Sequence, residues 1–207
     1  MALINQANKE IQLKIVYYGP PQGGKTTNLE KVHAEIETAT PDAKSKLTSL
    51  ATSTDRTLFF DFLPLETMAV KGYKTKFQLF TVPGQVIYNA TRQLVLRGVD
   101  GIVFVADSQY DKMEDNVQTF ANMIDNLESL NLRLDAIPYV LQYNKRDLPN
   151  VAPVEYMEYL LNNRDVQVPS FASSVVKGEG VFETLNMITR LLLHKLINES
   201  GRKTAAA

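Results

Sequence analysis

Gly19-Pro20-Pro21-Gln22-Gly23-Gly24-Lys25-Thr26 is the stretch whose reading decides the fold. It fits G-x-x-x-x-G-K-[ST], a loop whose main-chain N–H groups cradle phosphates. Ile11 to Tyr18 before it reads as a strand. Thr26 to Glu37 after it reads as a helix, with Leu29, Val32 and Ile36 at helical spacing. That strand–loop–helix setting separates a phosphate loop from a glycine-rich turn. Gly23 and Gly24 let the main chain approach a polyphosphate with no Cβ in the way. The N–H groups from about Gln22 to Thr26 face inward where a helix opens and its dipole favours negative charge. Lys25 is placed to reach β and γ phosphates, and the Thr26 hydroxyl to ligate Mg²⁺. Gly19, Gln22, Gly23, Gly24, Lys25, Thr26 and Thr27 are therefore the candidate phosphate contacts.

Outward from the loop, strands and helices alternate. Met1 to Glu10 is polar and could add a short strand. Ala39 to Ser53 reads as a loop with an extended piece near Leu47 to Leu50. Thr57 to Leu63 and Tyr73 to Val82 read as two strands of a hairpin turning at Lys71-Gly72. In the second, Tyr73, Thr75, Phe77 and Leu79 face one way, and Lys74, Lys76 and Gln78 the other. A short helix covers Ala90 to Leu96. Gly101 to Ala106 is an apolar run expected of a strand buried on both faces. A helix follows over Asp111 to Leu130, with Met113, Val117, Phe120, Ile124 and Leu127 on its apolar side. Then come a strand at Pro138 to Tyr143, a helix at Glu155 to Leu161, a strand at Val168 to Val175, and a helix at Gly180 to Asn198 with Val181, Leu185, Ile188 and Leu192 inward. This alternation predicts an α/β fold: a mostly parallel central sheet with one antiparallel hairpin edge and helices on both faces. Ligands in such sheets bind at the carboxyl ends of the strands.

The 207 residues suit one domain over 1–200, with 201–207 read as a disordered tail or expression scar. A net charge of −1 offers no field for nucleic acid. There is no cysteine, so disulfides and thiolate metal sites are excluded. No leader peptide, apolar span, prenylation cysteine or myristoylation pattern is present, which predicts a cytoplasmic protein without a lipid anchor.

Two further motifs fall after predicted strands. Asn144-Lys145-Arg146-Asp147 has the form N-K-x-D. A carboxylate at Asp147 can accept from N1–H and the exocyclic amine of guanine. Adenine has neither donor on that edge and would leave the carboxylate unsatisfied. Asn144 can bond the Hoogsteen edge, and the Lys145 stem can lie over the ring. In Thr81-Val82-Pro83-Gly84-Gln85, a main-chain N–H at Gly84 can meet a γ-phosphate, and Gln85 can orient the attacking water.

A phosphate loop, a threonine near residue 57, x-x-x-Gly-Gln and N-K-x-D, in that order, resemble the small Ras-like GTPases. More narrowly, Val16-Tyr17-Tyr18-Gly19-Pro20, the string Arg56 to Pro64, Thr81 to Gln85, Arg97 to Gly101 and Asn144 to Pro149 resemble the bacterial MglA family. The likeness spans about Ile4 to Ile197. It implies the Ras-like three-layer fold and a slow monomeric GTPase that binds GTP or GDP with Mg²⁺. It also implies Thr57 as the residue engaging Mg²⁺ and γ-phosphate, although Thr52 and Thr54 lie nearby. Arg56 resembles an arginine finger supplied in cis, and such a group is worth about 10³–10⁵ in rate. Ser174-Val175-Val176 stands where relatives carry Ser-Ala-Lys, leaving the Val175 N–H for guanine O6. The resemblance implies a homodimeric Roadblock/LC7 activator of the MglB kind and effectors at a cell pole as partners, and a switch that controls cell polarity and motility through them. The resemblance further implies that the strand after Arg56 shifts register between nucleotide states.

Two departures stand out. Thr81 replaces the usual aspartate that steadies Mg²⁺ through water, with Asp61 as a possible substitute. Pro20 and Pro21 remove two N–H groups from the first half of the loop. These departures keep a second reading open, a GTP-binding scaffold with negligible hydrolysis. A metabolic phosphate-loop kinase would need an acceptor pocket and lid for which the sequence has no signal.

Overall fold

The computed structural model describes residues 3–39, 48–51, 57–70, 72–84 and 88–205. Its strands are β1 (Leu3–Asn5), β2 (Glu10–Tyr18), β3 (Thr48–Ala51), β4 (Thr57–Val70), β5 (Tyr73–Thr81), β6 (Gly101–Asp107), β7 (Tyr139–Asn144) and β8 (Ser170–Ala172). The helices are α1 (Lys25–Ala39), α2 (Asn89–Leu96), α3 (Met113–Ser129), α4 (Val154–Leu161) and α5 (Val181–Ala205).

The strands form one sheet in the order β3-β4-β5-β2-β6-β7-β8, with β1 against β2. The five strands β5-β2-β6-β7-β8 are parallel throughout. The expectation of one antiparallel hairpin edge therefore needs correcting. Antiparallel pairing occurs at three places around that block: β1 with β2, β3 with β4, and β4 with β5. β1 and β3 are too short to announce themselves by alternation; their pairing rests on main-chain hydrogen bonds.

Two apolar layers sandwich the sheet. Residues alternate along β2: Ile15 and Tyr17 join Leu29, Val32, Ile188 and Leu192 on one side, while Val16 and Tyr18 join Leu96, Phe120 and Met123 on the other. Fully burying such a side chain contributes about 1.5–3 kcal/mol. Strand preference spans only about 1 kcal/mol, so burial decides which face each strand presents. β5 alternates as expected, with Thr75, Phe77 and Leu79 buried and Lys74 exposed.

Three elements depart from expectation. β8 covers only Ser170–Ala172, because Ser173 to Val175 leave the ladder to pair with the β7 loop. On α3 Val117 is 40 % exposed, while Asn116 and Met123 are buried. The helix turns that way because the Asn116 amide bonds both main-chain groups of Asp107. α5 runs to Ala205, past Asn198 and through most of the segment read as a tail.

Candidate functional site

The phosphate loop joins β2 to α1 and folds back on itself. Gly23 N–H donates to Pro20 O at 3.2 Å, so one amide of the expected inward series is held inside the loop. Lys25 is only 6 % exposed, and its Nζ donates to Gly19 O at 3.0 Å and Pro20 O at 2.7 Å. A buried ammonium needs such acceptors, and here they also hold it under the loop. Gly24 has φ +102°, and a Cβ there would come 2.2 Å from Asn144 Nδ2. No other residue type fits. Thr26 and Thr27 are half-buried on the first turn of α1.

Asn144, at the end of β7, reaches across 121 residues of sequence to donate to Gly23 O at 2.8 Å. Its Oδ1 accepts from Val175 N–H at 3.0 Å. This departs from expectation at two residues. The Val175 N–H anticipated for guanine O6 is engaged by Asn144, and the Asn144 amide anticipated at the Hoogsteen edge braces two loops. Lys145 has φ +68°, and its Nζ pairs with Asp107 Oδ2 at 2.6 Å. Asp107 is 1 % exposed at the end of β6 and also accepts from Gln109 N–H and Nε2. The pairing stretches the Lys145 stem along the cleft wall. Asp147 accepts from Ser174 Oγ at 2.7 Å. That hydrogen bond, above all, holds its carboxyl below the ordinary aspartate value, with weaker help from Lys177 and Lys145. Gln22, Gly24, Thr27, Asn144, Lys145, Asp147 and Val175 line one cleft of about 150 Å³. The two distant motifs thus share one site at the carboxyl ends of the strands.

Beneath this cleft lies a buried polar trio that sequence reading missed. Asn28 Nδ2 donates to Gln142 Oε1 at 2.8 Å and to Gly24 O at 3.0 Å. Gln142 Nε2 donates to Asn28 Oδ1 at 3.1 Å and to Thr184 Oγ1 at 3.2 Å. All three residues are fully buried. One signal was available: a glutamine in the middle of the apolar run Tyr139–Tyr143.

On the other side of the loop, Gly84 is half-buried against Pro21; a Cβ added to it would come 2.4 Å from Pro21 Cα. Arg92 of α2 was also missed. Its Nε donates to Pro83 O at 2.9 Å, its Nη2 to Gly84 O, and its Nη1 to Asn122 Oδ1 at 2.6 Å. Thr81 is fully buried at the end of β5. Thr57 opens β4, whose residues 57–61 pair with β3 but lie beyond the ladder to β5, which starts at Phe62. Arg56, Gln85, Thr52 and Thr54 lie outside the described residues, as do the contacts of the Thr57 and Asp61 side chains.

A second cleft, about 760 Å³ between Leu134, Ile137, Arg164, Val168, Leu191 and His194, holds none of the motif residues. It opens at the amino ends of β7 and β8. Among the described residues, no helix is long and apolar enough to cross a membrane.

Comparison with known proteins matches the chain to a family model and to curated relatives, one of which is informative over nearly its whole length. The model of the ADP-ribosylation factor family matches residues 1–192. Mutual gliding-motility protein MglA of Myxococcus xanthus (strain DK1622) is 51 % identical over 196 residues, covering 95 % of this chain and 98 % of that protein.

Proposed function

The chain belongs to the ADP-ribosylation factor family and is a small Ras-like GTPase similar to MglA, and from that premise we propose how its residues work and what they control. It binds GTP and GDP and hydrolyses GTP. In the proposed site the amides near Gln22 to Thr26 and the Lys25 ammonium receive the β and γ phosphates. Asp147, hydrogen-bonded by Ser174, accepts from the N1–H and N2 amine of guanine. Asn144 fixes the distance between phosphate loop and base loop through Gly23 O and Val175 N–H. Gly84 N–H meets the γ-phosphate, Gln85 orients the attacking water, and Arg56 neutralises charge that develops on the transferring group.

The donor chemistry suits magnesium. Mg²⁺ takes one or two protein oxygens and completes its shell with phosphate and water, and Thr26 stands on the first turn of α1, two residues after Gly24. Thr26 and Thr57 would hold it, and the ion would neutralise phosphate charge.

The proposed role is a polarity and motility switch in the cytoplasm, read at a cell pole by effectors in its GTP state and accelerated by a homodimeric Roadblock activator of the MglB kind. The name of the Myxococcus relative supports the motility assignment. Residues 57–61 pair with β3 but not with β5 among the described residues, which supports a strand able to change register. The observation that carries the nucleotide reading is the single cleft shared by the phosphate loop and a serine-braced Asp147.

Single-turnover phosphate release from GTP, with and without a Roadblock-type protein, tests this. Acceleration in the unaltered protein that is lost in Arg56→Ala is expected. No acceleration favours the scaffold reading. Acceleration that survives in Arg56→Ala removes the internal finger. Displacement of labelled GTP by ATP at equal concentration would remove the guanine assignment.

A further inference from the structure

Arg92 is the largest fully buried side chain among the described residues, and it is a cation. Among those residues it forms no ion pair with a carboxylate. Its charge is met by two peptide carbonyls, one amide oxygen and the face of Tyr18, 5.5 Å from the guanidinium carbon. Burying a charge this way is unfavourable compared with an apolar side chain of similar volume. Packing alone therefore does not account for an arginine here; what arginine adds is a rigid fork of donors.

The fork grips consecutive residues. Nε takes Pro83 O and Nη2 takes Gly84 O. In a planar trans peptide the N–H points opposite to the carbonyl. With Pro83 O drawn toward Arg92, Gly84 N–H is turned away from it. Gly84 meanwhile lies against Pro21 of the phosphate loop. One peptide is thus held between a buried cation and that loop. The fork is itself seated: Asn122 Oδ1 also accepts from Tyr18 OH at 2.8 Å and from Asn126 Nδ2 at 3.1 Å, and Asn122 Nδ2 donates to Asn89 Oδ1 at 3.2 Å. Tyr18 is the residue immediately before Gly19, so the same network touches the start of the phosphate loop.

We infer that Arg92 is a positioning residue for GTP over GDP: seated on Asn122 and Tyr18, it orients the Pro83–Gly84 peptide so that Gly84 N–H is presented to the γ-phosphate. The inference rests on the reading of Gly84 given above. It assigns Arg92 no contact with nucleotide. GDP, which lacks the γ-phosphate, is bound without its help.

Arg92→Lys tests this. Lysine keeps the charge but has no planar fork to span two carbonyls and Asn122. Affinity for a non-hydrolysable GTP analogue and single-turnover hydrolysis should each fall about tenfold, the scale of one lost charge-assisted hydrogen bond. Affinity for GDP and preference over ATP should stay within about twofold, a split that a merely structural residue would not produce. Should Arg92→Lys fail to fold, Asn122→Asp decides instead: a carboxylate beside Nη1 competes for the guanidinium and should give the same split. Equal losses for GDP and the analogue, or no loss in a folded variant, would overturn the inference. Gly84→Ala separates it from its premise. If that variant keeps analogue affinity and hydrolysis, the reading of Gly84 fails, whatever Arg92 does.

Discussion

The two flanks of the phosphate loop are braced by different chemistry. On the base side, Asn28, Gln142 and Thr184 form a closed set of neutral groups, each amide matched to another fixed element. On the hydrolytic side, one buried cation holds main-chain carbonyls of a loop. Matched neutral amides make a permanent joint, because opening it leaves several buried groups unsatisfied at about 1–3 kcal/mol each. A guanidinium on peptide oxygens holds a loop that, in the proposed switch, changes with the nucleotide. On the proposed reading, the base half is built to stay and the hydrolytic half to be reset.

The largest break in this picture should come from Asp147→Ala. Two charge-assisted hydrogen bonds at about 1.5–3 kcal/mol each amount to about 10²–10⁴-fold in affinity. GDP and GTP should suffer alike in a fluorescent-nucleotide titration, because the base side does not sense the γ-phosphate. Asn144→Ala is expected to be next. It strips a partner from Gly23 O and from Val175 N–H, so affinity for both nucleotides should fall about 10–100-fold, the equivalent of one or two buried bonds. Melting temperature should fall with it.

Gln142→Leu should mainly cost stability. It leaves Asn28 and Thr184 without their shared partner, a loss of about 1–3 kcal/mol, or about 2–12 °C in Tm for a chain of this size. The ratio of GTP-analogue to GDP affinity should not move. If it did, the base side would also be a switch and the contrast would collapse.

The smallest effect is a pH shift. Ser174 holds the folded-state pKa of Asp147 below its ordinary value. The bond therefore favours the folded, ligand-ready carboxylate fully above the ordinary pKa, and the benefit is lost as pH falls through the lowered one. In Ser174→Ala the decline of GDP affinity on acidification should begin at higher pH, with little change at neutrality. Titrations of both proteins from pH 7 downward would check it.

Much of the frame was legible because it rests on local pattern. The strand–loop–helix around Gly19–Thr26, the alternation of β5 and the apolar run of β6 each follow from periodicity within one segment. N-K-x-D pointed to one wall of the cleft for a similar reason: its pattern is written in four adjacent letters. What stayed hidden depends on partners far along the chain. Arg92 stands on a short amphipathic helix where an arginine is ordinarily solvated; its acceptors in a loop and on α3 are not written beside it. Asn28 and Gln142 are 114 residues apart. Asp107 reads as a strand end until Lys145 is seen to reach it. Val117 fits a helical stripe as well as Asn116 does, and only the pull of Asp107 on the Asn116 amide decides which turns inward.

The course of α5 has a practical corollary. The helix starts just after Gly180, carries Thr184 beneath the cleft shared by the two motifs, and runs 25 residues to Ala205, a length of about 37 Å. A dye or immobilisation handle on its final turns would therefore report from the far pole of the molecule. Nucleotide loading and partner docking could then be watched without crowding the chemistry.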